Sequence, residues 1–141
     1  MNQEPTAYLE QSAVIPYRFR EGQLEILLIT SRNSKRWIIP KGIIEPNMNP
    51  QDSAAQEALE EAGIKGKVSD IIRGSYTYQK WGSTCRVQIF TLEVDTIYID
   101  WLEASFRKRQ WVSLSEAIRL IQEEEVRKIL AQLPDYLDQT Q

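Results

Sequence analysis

The first third of the chain contains apolar runs of strand length, separated by short polar links. Three such runs occur, at 13–19, 24–30 and 37–39. The link 20–23 contains Gly22, which can supply positive φ, so the first two runs are predicted to form a β-hairpin. Pro16 cannot donate a ladder hydrogen bond, so the first run is predicted to be an edge or bulged strand. Residues 31–36 form a polar, basic loop, and Pro40 ends the third run.

The middle of the chain changes to helical periodicity. Asn49 is a favoured N-cap residue, and Pro50 suits the first helical position. Gly63 stands where a helix commonly ends in the left-handed conformation. The sequence therefore predicts a helix from 50 to 62. Its predicted inward side chains are Ala55, Leu59 and Ala62.

The second half of the chain predicts further strands followed by helices. The predicted strands cover 67–78, 85–95 and 109–112. Ser113 or Ser115 is the predicted cap of a helix over 114–121, and 124–133 is a second amphipathic stretch. We predict an α+β fold, with a mixed sheet, a central helix and C-terminal helices. Because no linker is evident, one domain over 1–141 with short flexible termini is expected.

The composition narrows the possible chemistry. Apolar residues make up 42% of the chain, and the 17 basic and 20 acidic residues give a net charge of −3. This balance argues against a general nucleic-acid binder. The chain has no histidine, which excludes His-based catalysis and His-ligated zinc, and its single cysteine, Cys85, excludes an internal disulfide. No export signal or membrane-length apolar run is evident, so a cytoplasmic protein without a membrane partner is predicted.

The segment 42–64 is unusually acidic and contains neither lysine nor arginine. Glu57, Glu60 and Glu61 are spaced i, i+3 and i+4, so all three are predicted to project from one helical face. Each such like-charge pair is destabilising by roughly 0.2–0.5 kcal/mol. A hard cation held by oxygen ligands, Mg²⁺ or Mn²⁺, would relieve this repulsion. The alternative is a solvated acidic face that pairs with lysine or arginine from elsewhere in the fold.

The same segment resembles the box motif of the Nudix hydrolase family over 42–64. Six positions match in type and spacing: Gly42, Glu57, Glu60, Glu61, Gly63 and Ile64. Two positions depart, because Met48 replaces the first glutamate of the box and Gln56 replaces its arginine. We expect metal binding to survive these changes, and the rate or the metal affinity to be lower.

The resemblance implies a Nudix-type mixed sheet sandwiched between helices (α/β/α) and a set of functional residues. It implies a metal site of Glu57, Glu60, Glu61 and the backbone at Gly42, with Glu60 as general base or water-orienting group. It extends over roughly 12–130 and is greatest to the branch that hydrolyses diphosphoinositol polyphosphates and diadenosine polyphosphates. On this basis the expected substrate-binding residues are Ser31, Arg32, Lys41, Arg86 and Lys108.

Several aromatic residues allow two interpretations. Trp37 and Trp111 are expected to pack in the core. Tyr76, Tyr78 and Trp81 could floor a nucleobase pocket, but aromatic pairs across a hairpin explain them equally well.

These observations predict a Mg²⁺-dependent hydrolase of a small-molecule phosphoanhydride. Two other functions stay open: a catalytically weakened nucleotide-binding or regulatory module, which Met48 and Gln56 favour, and removal of pyrophosphate from RNA ends, for which no basic stripe is evident. Dimers are common in the family, so a homodimer is a further expectation.

Overall fold

The computed structural model describes residues 7–138, so the predicted flexible termini lie largely outside the described residues. The eight strands are β1 Leu9–Arg20, β2 Gln23–Thr30, β3 Trp37–Ile38, β4 Lys41–Ile43, β5 Ile64–Val68, β6 Gly74–Lys80, β7 Ser83–Ile97 and β8 Arg109–Ser113. The helices are α1 Pro50–Glu57, which continues as a π-helical turn over Ala58–Ala62, α2 Leu114–Leu120 and α3 Glu124–Asp138.

The strands form one mixed sheet in the order β3-β2-β1-β7-β5. Strand β4 also pairs with β1, β6 with β7, and β8 with β2. Strands β1 and β7 are parallel, with 9–17 opposite 85–93, and the other pairs are antiparallel. The predicted mixed sheet is confirmed.

The prediction that Pro16 marks an edge or bulged strand is wrong, because β1 is central in the sheet. On one side of β1, β4 pairs with 11–13 and β2 pairs with 17–20, so neither ladder includes Pro16. The amide of Val14 points to this side and donates to the Pro40 carbonyl at 3.1 Å. Residue 16 faces the same side by strand alternation. The missing N–H of proline therefore falls in a gap between two partner strands.

Helices cover both faces of the sheet. On one face, α2 and α3 bury side chains such as Ala117, Ile129 and Leu133 against Ile15 and Ile89. On the other face the α1 segment packs its small residues onto the sheet at Val14, Leu27 and Phe90; these small residues are Ala54, Ala58 and Ala62. The expected α/β/α arrangement is confirmed.

The local stop and start signals of the acidic helix are confirmed. The Asn49 side chain accepts a hydrogen bond from the Asp52 amide at 2.7 Å, and Gly63 ends the helical segment at φ 68°. The predicted inward face is wrong in part. Ala54 and Ala58 are fully buried, whereas Ala55 and Leu59 are only half-buried. Alanines occupy the face that packs on the sheet, because their small side chains let the helix approach the sheet closely.

Two other predicted elements differ from the structure. The single strand over 67–78 is wrong, because β5 and β6 are separated by residues 69–73. Two backbone hydrogen bonds to β7 fix the ends of this break. The Ser69 amide donates to the Thr91 carbonyl (2.9 Å), and the Arg73 amide donates to the Ile89 carbonyl (2.8 Å). Helix α3 continues beyond residue 133 to Asp138, which adds Leu137 to the buried core.

The first turn and the aromatic residues largely follow expectation. Glu21 and Gly22 both have positive φ in the predicted hairpin turn, and Ser113 rather than Ser115 caps α2 through the Glu116 amide. Trp37 and Trp111 pack as half-buried side chains against the two cores, as expected.

Candidate active site

A cavity of about 460 Å³ opens between the basic loop 31–36, strand β4 and the acidic helix. It combines carboxylates with basic side chains, which distinguishes it from an ordinary apolar cleft. The charged residues that line it are Arg32, Arg36, Lys41, Glu57, Glu61, Lys80, Glu103 and Arg107.

Glu57 reaches this cavity from the last turn of α1, and its carboxylate lies directly against the backbone of β4. A Cβ atom added at Gly42 would lie 2.2 Å from Glu57 Cδ and 2.3 Å from Glu57 Oε1. Only a glycine leaves room for the carboxylate here. Gly42, the first position of the motif, is thus explained by the space that the Glu57 carboxylate needs.

Glu61 lies deeper, with 7% of its surface exposed. Its Oε1 accepts a hydrogen bond from the Lys41 amide at 3.2 Å, and Arg107 Nη2 lies 3.6 Å from Oε2. Arg107 is itself buried and also donates to Glu103 (2.7 Å) and to the Thr30 carbonyl (2.9 Å). One buried arginine therefore serves two carboxylates.

The buried carboxylates carry more negative charge than their surroundings neutralise. Burial, together with the nearby negative charges of Glu60 and Glu103, raises the pKa of Glu57 to about 7. Burial likewise raises the pKa of Glu61 to about 8, against the lowering effect of Arg107. A pKa is raised in this way when the charged form is poorly solvated and only partly paired. The site would gain from an added cation.

Glu60 does not join Glu57 and Glu61 in the cavity, so the prediction that all three share one face is wrong in this geometry. Its carboxylate accepts from Gln56 Nε2 at 3.0 Å, and it lines a separate surface cavity beside Lys65. The π-helical turn explains the difference. Its i→i+5 bonds widen the turn, which brings residue i+4 nearly above residue i and turns residue i+3 away.

The donor set of Glu57 and Glu61 fits Mg²⁺ or Mn²⁺. Their carboxylate oxygens are hard ligands, and their raised pKa values show that the charged form is only partly compensated by the protein. Among residues 7–138, no group of three or more His, Cys, Asp and Glu side chains is arranged to hold a metal ion. Glu57 and Glu61 would supply two carboxylate ligands, and water or substrate oxygens would complete the coordination of an ion that often keeps several waters.

The basic residues around the cavity differ in whether they already form ion pairs or hydrogen bonds within the protein. Arg36 forms a two-pronged ion pair with Glu123 (2.6 and 3.2 Å), and Lys41 Nζ donates to the Tyr78 hydroxyl at 3.1 Å. Within the part of the chain that the structure describes, Arg32 and Lys80 enter no ion pair. These two are the cations with most capacity for an incoming anion.

The structure brings together some of the expected substrate-binding residues and not others. Ser31, Arg32 and Lys41 line the cavity. Of the described residues, its lining includes neither Arg86 nor Lys108. Arg86 instead pairs with Glu10 on the surface, because the parallel β1–β7 register places the two side by side.

Sequence reasoning missed Glu103 and Arg107 as cavity residues. Both come from the segment between β7 and β8, far from the acidic helix in the chain. The i, i+4 spacing of Glu103 and Arg107, which form an ion pair, was the one local signal available. It indicates a paired helical turn but not what that turn faces.

The same segment also covers the end of the acidic helix. Trp101 Nε1 donates to the Glu61 carbonyl at 3.0 Å, and Arg109 Nη1 donates to the Ala62 carbonyl at 2.8 Å. The Arg109 guanidinium stacks 3.9 Å from the centre of the Trp101 ring. Arginine thus supplies the positive charge that a helix C-terminus favours, where the helix's own last turn has none.

The two departures from the motif are visible in the structure. The uncharged Gln56 amide donates a hydrogen bond to the Glu60 carboxylate, where an arginine would bring a positive charge. Met48 is half-buried and its amide donates to the Glu45 carbonyl at 3.1 Å, so the loop is ordered by its backbone. Relative to the motif, this segment has one fewer charge of each sign.

Comparison with known proteins places this arrangement in a family. The NUDIX domain model matches residues 9–133, nearly the whole described chain. The chain belongs to the Nudix family. "Nudix hydrolase 21, chloroplastic" of Arabidopsis thaliana is 34% identical over 140 residues, covering 95% of this chain and 70% of that protein. "Diphosphoinositol polyphosphate phosphohydrolase 3-alpha" of Mus musculus is 31% identical, covering 84% of this chain and 73% of that protein.

The fold comparison agrees. The crystal structure of a C. elegans Ap4A hydrolase binary complex matches with a TM-score of 0.78 over 92% of this chain and 98% of that one, at 22% identity. The predicted Nudix resemblance and enzyme class, a Nudix-type pyrophosphohydrolase, are confirmed at the level of the family. No helix among residues 7–138 is long and apolar enough to cross a membrane. Because relatives include proteins named as chloroplastic and mitochondrial, the cytoplasmic location stays a prediction.

Proposed function

We propose that this Nudix chain is a Mg²⁺-dependent hydrolase, with Mn²⁺ as a substitute, that cleaves a phosphoanhydride bond of a diadenosine polyphosphate or a diphosphoinositol-type substrate. The observation that carries the proposal is the Glu57–Glu61 pair, half-buried and buried respectively, in a cavity that five basic side chains also line. The names of the relatives, one a diphosphoinositol polyphosphate phosphohydrolase and one an Ap4A hydrolase, supply the two substrate classes.

Each cavity residue has a task in this reaction. Glu57 and Glu61 would hold the metal, which when bound neutralises charge on phosphate oxygens and lowers the pKa of water. Arg32 and Lys80, free of ion pairs in the described chain, would attract the outer phosphates. Lys41, whose pKa burial lowers, lies beside the carboxylates and would donate to a phosphate oxygen.

Two carboxylates, Glu60 and Glu103, are candidates for the general base. Glu60 has this role in our sequence prediction, but it faces a neighbouring cavity. Glu103 lines the same cavity as Glu57 and Glu61 but is held by Arg107. Replacing Glu60 and Glu103 separately with glutamine separates them, because loss of the base lowers kcat by about 10²–10⁴-fold. The other variant should keep most of its rate.

The test of the function is a substrate panel with Mg²⁺: diadenosine polyphosphates, ADP-ribose, nucleotide sugars and diphosphoinositol phosphates. Glu57→Gln and Glu61→Gln should each lower turnover of the accepted substrate by orders of magnitude. Near-normal turnover in both variants would contradict the proposed metal site. The predicted roles of Arg86 and Lys108 are tested by the KM of Arg86→Ala and Lys108→Ala, and an unchanged KM removes each from the substrate site.

A second candidate is a Nudix-fold binding or regulatory module with little catalysis. The observation that favours it is the hydrogen bond from the uncharged Gln56 amide to Glu60, at the position where the motif has an arginine. Binding of a panel substrate without turnover, with the metal present, would support this function over hydrolysis. The predicted homodimer is a separate question, which light scattering of the purified chain answers.

A further inference from the structure

The tip of the β6–β7 hairpin has an unusual residue at a demanding position. Lys80 pairs with Ser83, so Trp81 and Gly82 form a two-residue turn. Both have positive φ, 55° and 70°, as the central residues of a type I′ turn do. Asparagine, aspartate or glycine is the favoured first central residue. A bulky tryptophan in the left-handed region is an outlier, so the turn alone does not explain Trp81.

Packing does not explain the tryptophan either. Its surface is 61% exposed, the largest aromatic exposure among the described residues. Its contact of note is with Lys80, whose ammonium lies 4.5 Å from the ring centre. A residue that is both conformationally unfavourable and largely exposed contributes little to folding. Strain of this kind is found at functional sites.

The location of the ring connects it to the site. Trp81 and Lys80 line the same cavity as Glu57, Glu61 and Arg32. The hairpin therefore presents a flat aromatic surface at the rim of the cavity that would hold the phosphates. The loop that carries Arg32 lines the same cavity.

We propose that Trp81 is a specificity-determining residue, which stacks on the base of a nucleoside polyphosphate whose phosphates lie in the cavity. This inference rests on the proposed function and chooses between its two substrate classes. A base offers a π face to the indole, and base–aromatic stacking of this kind contributes substantially to affinity. A phosphorylated inositol ring offers no such face.

The charges of the cavity support the same choice. A diphosphoinositol polyphosphate carries phosphates around its ring and needs cations on several sides. Here Arg36 is occupied by Glu123, and Arg107 by Glu103 and Glu61. Three cations of the cavity enter no ion pair in the described chain, namely Arg32, Lys80 and Lys41, and Lys41 donates to the Tyr78 hydroxyl. This small set suits a short linear polyphosphate better.

The experiment compares Trp81→Asn, Trp81→Phe and the control Gln79→Ala. Asparagine removes the ring and suits the left-handed position. Phenylalanine keeps a smaller ring. Gln79→Ala breaks the Gln79–Thr84 hydrogen bond (2.8 Å) in the same hairpin without altering the cavity. Each variant is assayed on diadenosine tetraphosphate and on a diphosphoinositol phosphate, and its unfolding free energy is measured with urea.

We expect Trp81→Asn to raise the KM for diadenosine tetraphosphate by about 10- to 100-fold, with kcat within about twofold. Its stability should equal or exceed that of the natural chain, since asparagine suits the turn. Trp81→Phe should have an intermediate KM, and Gln79→Ala an unchanged one. An unchanged KM for Trp81→Asn overturns the proposal. An equal rise for the base-free substrate overturns it as well.

Binding separates this proposal from the proposed function. ADP with Mg²⁺ should quench indole fluorescence in the natural chain, and Trp81→Phe should lose that quenching. If the natural chain hydrolyses neither substrate but shows the Trp81-dependent quenching, the hydrolase function fails and the stacking role stands. If it hydrolyses diadenosine tetraphosphate and shows no Trp81-dependent quenching, the stacking role fails alone.

Discussion

Replacing Gly42 with alanine should inactivate the protein through one defined contact. The added Cβ would lie 2.2 Å from Glu57 Cδ, while an ordinary carbon–carbon contact is about 3.5 Å, so the carboxylate must move by roughly 1.3 Å. A displacement of about 1 Å at a catalytic group lowers the rate about 10²-fold, or about 3 kcal/mol of transition-state stabilisation. Overpacking should also lower the unfolding free energy by about 1–3 kcal/mol. Both quantities are measured, as kcat/KM with Mg²⁺ and by urea denaturation.

The same substitution in a Glu57→Ala background is the control. The three atoms nearest to the added Cβ all belong to Glu57, so the stability loss should disappear when that side chain is absent. A double-mutant cycle measures this coupling directly. If the loss persists undiminished in the Glu57→Ala background, the steric account of Gly42 is wrong. If Gly42→Ala alone keeps activity within about twofold, the position of Glu57 does not matter for the reaction.

Three further changes probe the charges of the site. Without metal, stability should fall by up to about 1.4 kcal/mol per pH unit between pH 5 and 8, because folded Glu61, with a pKa of about 8, keeps a proton that the unfolded chain releases near 4.5. Glu61→Gln should flatten this slope in urea titrations with EDTA, and an unaltered slope would contradict the pKa assignment. Arg107→Met should destabilise the protein by about 3 kcal/mol in thermal or urea unfolding, since it leaves Glu61 and Glu103 without their cation; full stability would show that the pair is dispensable. Met48→Glu combined with Gln56→Arg should lower the Mg²⁺ concentration needed for half-maximal activity and raise the maximal rate in a magnesium titration. Identical curves for this variant and the natural chain would show that the two departures do not weaken the site.

Features set by neighbouring residues were predictable from the sequence. The Asn49 cap and the Gly22 and Gly63 conformations depend on hydrogen bonds and φ values within a few residues. Glu57 and Glu61 were predictable because their i, i+4 spacing survives the change from an α-helical to a π-helical turn. Glu60 was not, since the wider turn moves the i+3 position to another face.

Features set by distant strands were not predictable. The Glu10–Arg86 pair depends on the parallel register of β1 and β7, which no local pattern specifies. The same is true of Pro16, whose tolerance depends on where two other strands diverge. Glu103 and Arg107 reach the cavity only because the chain between β7 and β8 folds back over the helix end.

The packing of segment 98–109 over the helix end affects how this part of the protein opens to solvent. Three groups donate hydrogen bonds to the last carbonyls of the helical segment that carries Glu57 and Glu61. They are the side chains of Trp101 and Arg109 and the Tyr98 amide, which donates to the Gly63 carbonyl at 2.8 Å. Segment 98–109 therefore cannot lift away without exposing that helix end to water. The two should open together as one cooperative unit, and amide protons at residues 63 and 98 should exchange with solvent at matching rates.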